Sequence, residues 1–114
     1  MKLIIAGSRK FNNYSTLLEY TLEFIGKETP TIISGTARGA DQMGERLAME
    51  HKFPLVLMPA DWDTLGRRAG FVRNEEMAKI ATHCIVFWDG ESPGTKHMIS
   101  MCKKYKLIHA IVRV

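Results

Sequence analysis

Residues 31–41 read TIISGTARGAD, a segment whose pattern joins a strand to a helix through a Gly-rich loop. The run Thr31–Ser34 is rich in β-branched residues and predicts a buried strand, and a helical pattern follows the glycines. A strand, a Gly-rich loop and a helix in this order form the context of a phosphate cradle, because free backbone N–H groups and the helix dipole favour an anion. We therefore expect Gly35, Arg38 and Gly39 at a phosphate-binding site, although the loop matches neither G-x-G-x-x-G nor a P-loop.

The rest of the chain repeats this alternation of strand-like and helical segments. Four more apolar runs read as buried strands: Lys2–Ala6, Pro54–Leu57, His83–Phe87 and Leu107–Val112. Helical patterns fill the intervals, from Tyr14 to Ile25, Ala40 to Ala48, Ala69 to Ile80 and Met98 to Tyr105. This alternation predicts an α/β fold, a Rossmann-like three-layer sandwich with a five-stranded, mainly parallel sheet in the order 3-2-1-4-5 and four helices. The ligand crevice is then expected at the carboxyl ends of strands one and four.

The composition is that of one globular domain over residues 1–114. Hydrophobic residues make up 46% and charged residues 25%, and no apolar run is long enough to cross a bilayer or to act as a signal peptide. We therefore expect a cytoplasmic protein with no membrane partner. The two cysteines and four histidines lack the spacings of zinc sites, so no metal and no cofactor are predicted. The net charge of +4 favours anionic partners without choosing between a phosphate ligand and a polynucleotide.

The turn after the first strand and the start of the second helix offer further polar groups. Gly7 lets the backbone approach an oxyanion, and Ser8 and Arg9 supply the donors that a phosphate needs. A tight turn with a surface arginine explains these three residues equally well. Asp41 is placed to contact a ribose hydroxyl, but a carboxylate in the first turn of a helix is also stabilised without any ligand.

The turn after the fourth strand, WDGESPGTK at residues 88–96, again joins a strand to a helix through glycines. Gly94 and Thr95 place N–H groups and a hydroxyl at the helix N-terminus, and Lys96 adds positive charge. Ser92 followed by Pro93 is also an ordinary helix start, and both interpretations can hold at once. Because the strand order reverses here, we favour a binding role for this turn most strongly. The residues predicted to bind the ligand are Asp89, Gly90, Ser92, Gly94, Thr95 and Lys96.

Arg73 lies inside the apolar stripe of the third predicted helix, so its guanidinium is directed toward the protein. A guanidinium in that position needs an anionic or hydrogen-bonding partner. We prefer a ligand to a structural salt bridge with Asp41, Asp61 or Asp89, because Arg73 lies near the start of its helix.

The connection from Met58 to Arg68 is unusually long for a compact domain, which is typical of functional loops. Its Trp62 is a candidate for ligand or interface contacts, whereas Trp88 is expected to pack.

These motifs, in this order, resemble the SLOG superfamily and, within it, the small YspA-like branch. The matching segments are GSR (7–9), GTARGAD (35–41), PADW (59–62), AGFVRNEEM (69–77) and FWDGESPGTK (87–96), which extend over nearly the whole chain. The resemblance implies a single Rossmann-like domain that senses, processes or carries nucleotide-derived ligands, including ADP-ribose and NAD-related molecules. It also adds Asn74 to the predicted ligand site, and it is compatible with a homodimer or higher homo-oligomer.

Similar LOG-type phosphoribohydrolases cleave an N-glycosidic bond with the Arg of an R-K-x-x-M motif and the Glu of a P-G-G-x-G-T-x-x-E motif. Arg73 and Met77 match the first motif, with Asn74 in place of its Lys, and Met98 stands where the second motif has Glu. Methionine cannot stabilise an oxocarbenium-like transition state by charge, so the resemblance to these enzymes does not establish hydrolysis here.

Three functions are compatible with these residues. The leading one is binding of a nucleotide or nucleotide-derived small molecule at the C-terminal edge of the sheet, as a sensor, carrier or sequestering protein. The alternative is an N-glycosidic hydrolase in which Arg73 orients the phosphate and Asp41, Asp89 or Glu91 replaces the missing carboxylate. Single-stranded DNA binding, as in the similar DprA proteins, ranks last, because the basic residues do not alternate with aromatic ones; a nucleic-acid partner is not expected.

Overall fold

The computed structural model describes residues 1–114 and contains one five-stranded sheet. The strands are β1 Lys2–Gly7, β2 Thr31–Ser34, β3 Leu55–Leu57, β4 His83–Trp88 and β5 Ile108–Arg113. Each strand boundary lies within one residue of its predicted position. Every neighbouring pair is parallel and the order is β3-β2-β1-β4-β5, so the predicted α/β, Rossmann-like sheet is confirmed.

Helices fill every crossover between consecutive strands. They are α1 Tyr14–Ile25, α2 Ala40–His51, α3 Trp62–Leu65, α4 Ala69–Ile80 and α5 Pro93–Lys104. The four long ones are those that the sequence predicted. None of the five has the length and apolarity that crossing a membrane demands.

The short helix α3 and the 3-10 turn Gly66–Arg68 lie in the connection that was predicted as a loop. The Asp61 carboxylate caps α3 by accepting a hydrogen bond of 3.2 Å from the Thr64 N–H. Gly66 ends the helix with φ +60°, a conformation that suits glycine, and its N–H donates to the Trp62 carbonyl. Local capping thus folds a segment that buries no side chain of its own.

The core consists of two apolar layers, one on each face of the sheet. Successive strand residues point to opposite faces, so Leu3 of β1 packs with Leu47 of α2, whereas Ile4 packs with Met77 of α4 and Met98 of α5. Both faces are therefore covered, and the loops at the carboxyl edge remain as the open polar region of the sandwich.

The buried face of helix α4 differs from the face that its apolar pattern predicts. Ile80, expected in the buried stripe, is 43% exposed, whereas the polar Asn74 is buried. The helix passes from the core to the polar loops at the edge of the sheet, where a buried amide finds hydrogen-bond partners.

Candidate ligand-binding cleft

The carboxyl ends of the parallel strands bring the predicted loops to one edge of the sheet, where two adjoining clefts open. The first, called the helix cleft, lies between the first turns of α4 and α5 and encloses about 120 Å³. The second, called the loop cleft, lies over residues 35–38 and 59–60 and encloses about 330 Å³. Ligand pockets usually have about 300–1,000 Å³, so the helix cleft alone is small for a nucleotide, and the two adjoining clefts together offer the volume that one needs.

Four residues line both clefts and mark the place where they join: Arg9, Ala37, Trp62 and Arg73. They come from the loop after β1, the loop after β2, α3 and α4. Because three separate crossovers supply them, the junction exists only in the folded chain.

Arg73 is held in place by neutral groups. Its Nη1 donates to the carbonyl of Gly35, and its Nε donates to the Asn74 side-chain oxygen at 3.1 Å. No carboxylate lies within 4.0 Å of it, since the ion pairs of the chain are Arg46–Glu50 and Lys104–Glu75. Burial lowers the pKa of Arg73, and the nearby Asp41 opposes that effect. The guanidinium is therefore fixed at the junction without an ion-pair partner.

Asn74 connects α4 to the start of α5. Its side-chain N–H donates to the Gly94 carbonyl at 3.2 Å and lies 3.3 Å from Nδ1 of His97. The same amide accepts from Arg73, so one buried side chain both joins the two helices and orients the guanidinium.

Asp41 lines the helix cleft and is only 5% exposed. Its Oδ2 accepts a hydrogen bond of 3.1 Å from the Ala37 N–H, and no protein group donates to its Oδ1. Burial raises the pKa of Asp41 to about 6, against the lowering effects of the Ala37 N–H and the Arg73 charge. The carboxyl group therefore exists in both protonation states near neutral pH.

Gly35 allows Arg73 and Asp41 to approach the loop after β2. A Cβ at this position would lie 2.7 Å from both Arg73 Nη1 and Asp41 Oδ2. The absence of a side chain is therefore a steric requirement of the site.

Trp62 and Arg9 face each other across the junction of the clefts. The Arg9 guanidinium carbon lies 5.9 Å from the centroid of the Trp62 ring, within the range of a cation–π contact. The ring is 49% exposed, and its edge approaches Gly70, where a Cβ would lie 3.4 Å from Trp62 Cη2.

The structure brings most of the predicted site residues together at this edge. The helix cleft is lined by Gly7, Arg9, Asp41, Arg73, Asn74, Ser92, Gly94 and Thr95. The loop cleft adds Gly35 and Arg38. Gly39 lies beside them in a shallow groove that also includes Arg9, and its φ of +80° shows a backbone role.

Other predicted residues lie outside both clefts. Ser8 is buried and its hydroxyl accepts from the Asp89 N–H at 3.2 Å. The Asp89 carboxylate accepts from the N–H groups of Ser92 and Glu91, which lowers its pKa and fixes the turn after β4. Gly90 lies against Arg113, and Lys96 is exposed. These four residues shape the turns or face solvent, and their binding role stays a prediction.

Other cleft residues were not predicted from the sequence. Arg67 of the 3-10 turn and Phe71 of α4 line the helix cleft, and Phe71 stacks on His97 with ring centroids 4.2 Å apart. Thr36, with φ +65°, lines the loop cleft. The length of the connection after β3 pointed to Trp62, but no sequence signal distinguished Arg67 from its neighbour Arg68.

Comparisons with known proteins give a family and a relative. The family model described as "YspA, cpYpsA-related SLOG family" matches residues 1–64. The "Gene 61 protein" of Mycobacterium phage D29 is 31% identical over an alignment of 111 residues, which covers 90% of this chain and 89% of the phage protein. No solved structure matches the chain significantly. The matched segment includes the loops that carry Arg9 and residues 35–41.

Proposed function

Since the chain belongs to the YspA, cpYpsA-related SLOG family, we propose that it binds a nucleotide or nucleotide-derived small molecule at the carboxyl edge of its sheet. The proposed ligand classes are ADP-ribose, NAD-related molecules and nucleoside phosphates. Binding without turnover suits a sensor, a carrier or a sequestering protein.

The main support for this proposal is the set of groups that contact the Arg73 guanidinium. The Arg73 guanidinium is half-buried, and only neutral oxygens contact it directly, with the Asp41 carboxylate nearby but beyond ion-pair distance. An incoming phosphate offers the missing charge in the planar, bidentate geometry that a guanidinium prefers.

The charge of the clefts supports an anionic ligand. Arg9, Arg38, Arg67 and Arg73 line them, against the single carboxylate of Asp41. Arginines that line a concave surface focus a positive potential into it, which raises the local concentration of anions.

Isothermal titration with ADP-ribose, NAD and nucleoside monophosphates tests the proposal. At least one of these compounds should bind tightly, and Arg73→Ala should weaken it about 10- to 150-fold, the effect of losing a charged hydrogen bond. Lys103→Ala is the matched control, because it removes one positive charge from an exposed position outside both clefts. The proposal fails if no compound binds, or if Arg73→Ala binds as well as Lys103→Ala.

Hydrolysis of the N-glycosidic bond is the second candidate, and Asp41 is the observation that favours it. The carboxylate of Asp89 is occupied by backbone N–H groups, and Glu91 is exposed outside both clefts. Asp41 instead lies in the helix cleft with a pKa of about 6, where its ionised form could stabilise a developing sugar cation.

Chromatography of AMP and ADP-ribose after long incubation with the protein separates the two candidates. Release of free adenine that is lost in Asp41→Asn would establish the hydrolase. Recovery of the intact nucleotide, with binding retained, leaves the binding protein.

A further inference from the structure

Trp62 is a large aromatic side chain that the fold leaves half exposed at the junction of the two clefts. Helix α3 and the 3-10 turn bury no side chain, so the ring is not needed to fill the core. It lines both clefts, so a nucleotide-sized ligand that occupies both passes beside the ring.

In the structure, the Arg9 guanidinium lies over the Trp62 ring. Arg9 is itself exposed and lines both clefts, and no hydrogen bond or ion pair of its side chain holds it there. An exposed cation–π contact is weak, and a phosphate at the junction competes for the same guanidinium. A phosphate that attracts Arg9 therefore uncovers the ring.

We propose that the base of the bound nucleotide stacks on the Trp62 indole. The base takes the place of the Arg9 guanidinium, which moves from the ring to the phosphate. This inference rests on the proposed function and specifies its ligand: a phosphate joined to a planar, neutral heteroaromatic ring. A cationic ring such as the N-ribosylated nicotinamide of nicotinamide mononucleotide is disfavoured, because four arginine side chains line the same clefts.

The test compares AMP with ribose 5-phosphate, which has the same sugar phosphate without the base. Titration of Trp62→Ala should show a loss of AMP affinity of about 5- to 150-fold, as expected for a lost base–aromatic stack. The affinity for ribose 5-phosphate should not fall, and it should rise at most about 5-fold, because Arg9 no longer has to leave the ring to reach the phosphate. Trp62→Phe, which keeps an aromatic face, should retain most of the AMP affinity, and Tyr20→Ala, an exposed aromatic outside the clefts, should behave as wild type.

Two further measurements make the test specific. AMP should bind the wild type more tightly than nicotinamide mononucleotide, whose ring is cationic. Addition of AMP should also quench the tryptophan emission of the wild type more strongly than that of Trp62→Phe, because Trp62 is the residue in contact with the base.

Several outcomes would overturn the inference while leaving the proposed function intact. Equal losses for AMP and ribose 5-phosphate in Trp62→Ala would show that Trp62 only shapes the cleft. Unchanged AMP affinity in that variant, or equal quenching in wild type and Trp62→Phe, would show that the base lies elsewhere. If neither AMP nor ADP-ribose binds the wild type, the proposed function fails together with the inference.

Discussion

Asp41 is a carboxylate that the fold buries without an ion pair. One N–H group stabilises its charge, and desolvation outweighs that effect, so the folded-state pKa of about 6 lies above the ordinary value of 3.8. The folded state therefore holds this proton more tightly than the unfolded chain does. The stabilisation from the bound proton is fully present below the unfolded pKa and is lost as the pH rises through about 6.

Asp41→Asn should remove this pH dependence, because the amide keeps the shape and an acceptor oxygen but has no charge. The difference in the free energy of unfolding between variant and wild type should grow by about 2.5 kcal/mol in favour of the variant between about pH 4 and about pH 7.5. Urea denaturation at several pH values measures it. In the control Asp89→Asn, the sign should be opposite, because the pKa of Asp89 is lowered in the folded state. Parallel profiles for Asp41→Asn and wild type would contradict the assignment.

Gly35→Ala should disturb the site through a single methyl group. Its Cβ would lie 2.7 Å from Arg73 Nη1 and Asp41 Oδ2, so both side chains must move. Overpacking of this kind costs about 1–3 kcal/mol of unfolding free energy, and the displaced guanidinium should weaken AMP binding in titrations.

Gly94→Ala is the comparison for the stability measurement of Gly35→Ala. A Cβ at Gly94 meets no atom within 4 Å and the residue is helical, so this variant should gain about 0.5–1 kcal/mol. Equal effects of the two substitutions would show that the close approach at Gly35 has no energetic importance.

At the level of elements, Asn74 is the link between α4 and α5. Asn74→Ala removes a buried amide that donates to Gly94 and accepts from Arg73. We expect a loss of about 1–3 kcal/mol of unfolding free energy in urea, together with weaker AMP binding because Arg73 loses one of its two supports. Glu76→Ala, an exposed neighbour on α4, should change stability by no more than about 0.5 kcal/mol. A similar result for both variants would mean that the helices dock without this amide.

The elements themselves were largely predictable from the sequence. Strands between helices leave few arrangements for a parallel sheet, and runs such as Cys84–Phe87 are too apolar to lie anywhere but in a covered sheet. The short helix α3 was not predicted, because four residues are too few for periodicity and its start depends on the Asp61 cap. The inward face of α4 was misjudged at Ile80, the last residue of the helix, which is exposed, and at Asn74, whose amide is buried among polar partners near the start of the helix.

For the whole molecule, the position of the site was predictable from the sequence, but the residues that line it were only partly so. A parallel sheet places the carboxyl ends of its strands at one edge, which brings the loops after β1, β2 and β4 together. Which side chain of a loop faces inward depends on turn geometry that no periodicity records. Lys96, in the first turn of α5, faces solvent although its neighbours Gly94 and Thr95 line the cleft, and Arg67 lines the cleft from a segment predicted to be irregular.

The distribution of charge over the molecule leads to a prediction about nucleic acid. A polynucleotide site needs cations spread along a path, whereas Arg9, Arg38, Arg67 and Arg73 converge on two adjoining clefts. If all four contact a single strand, the slope of log affinity against log salt is about −3, so binding falls about 20-fold between about 50 and about 150 mM salt. In gel shifts with an oligothymidylate, we expect at most a weak complex at low salt, removed by excess AMP, and none at about 150 mM. A complex that persists at about 150 mM salt and in excess AMP would identify a polynucleotide, rather than the small molecule, as the principal ligand. The binding surface would then extend beyond the clefts.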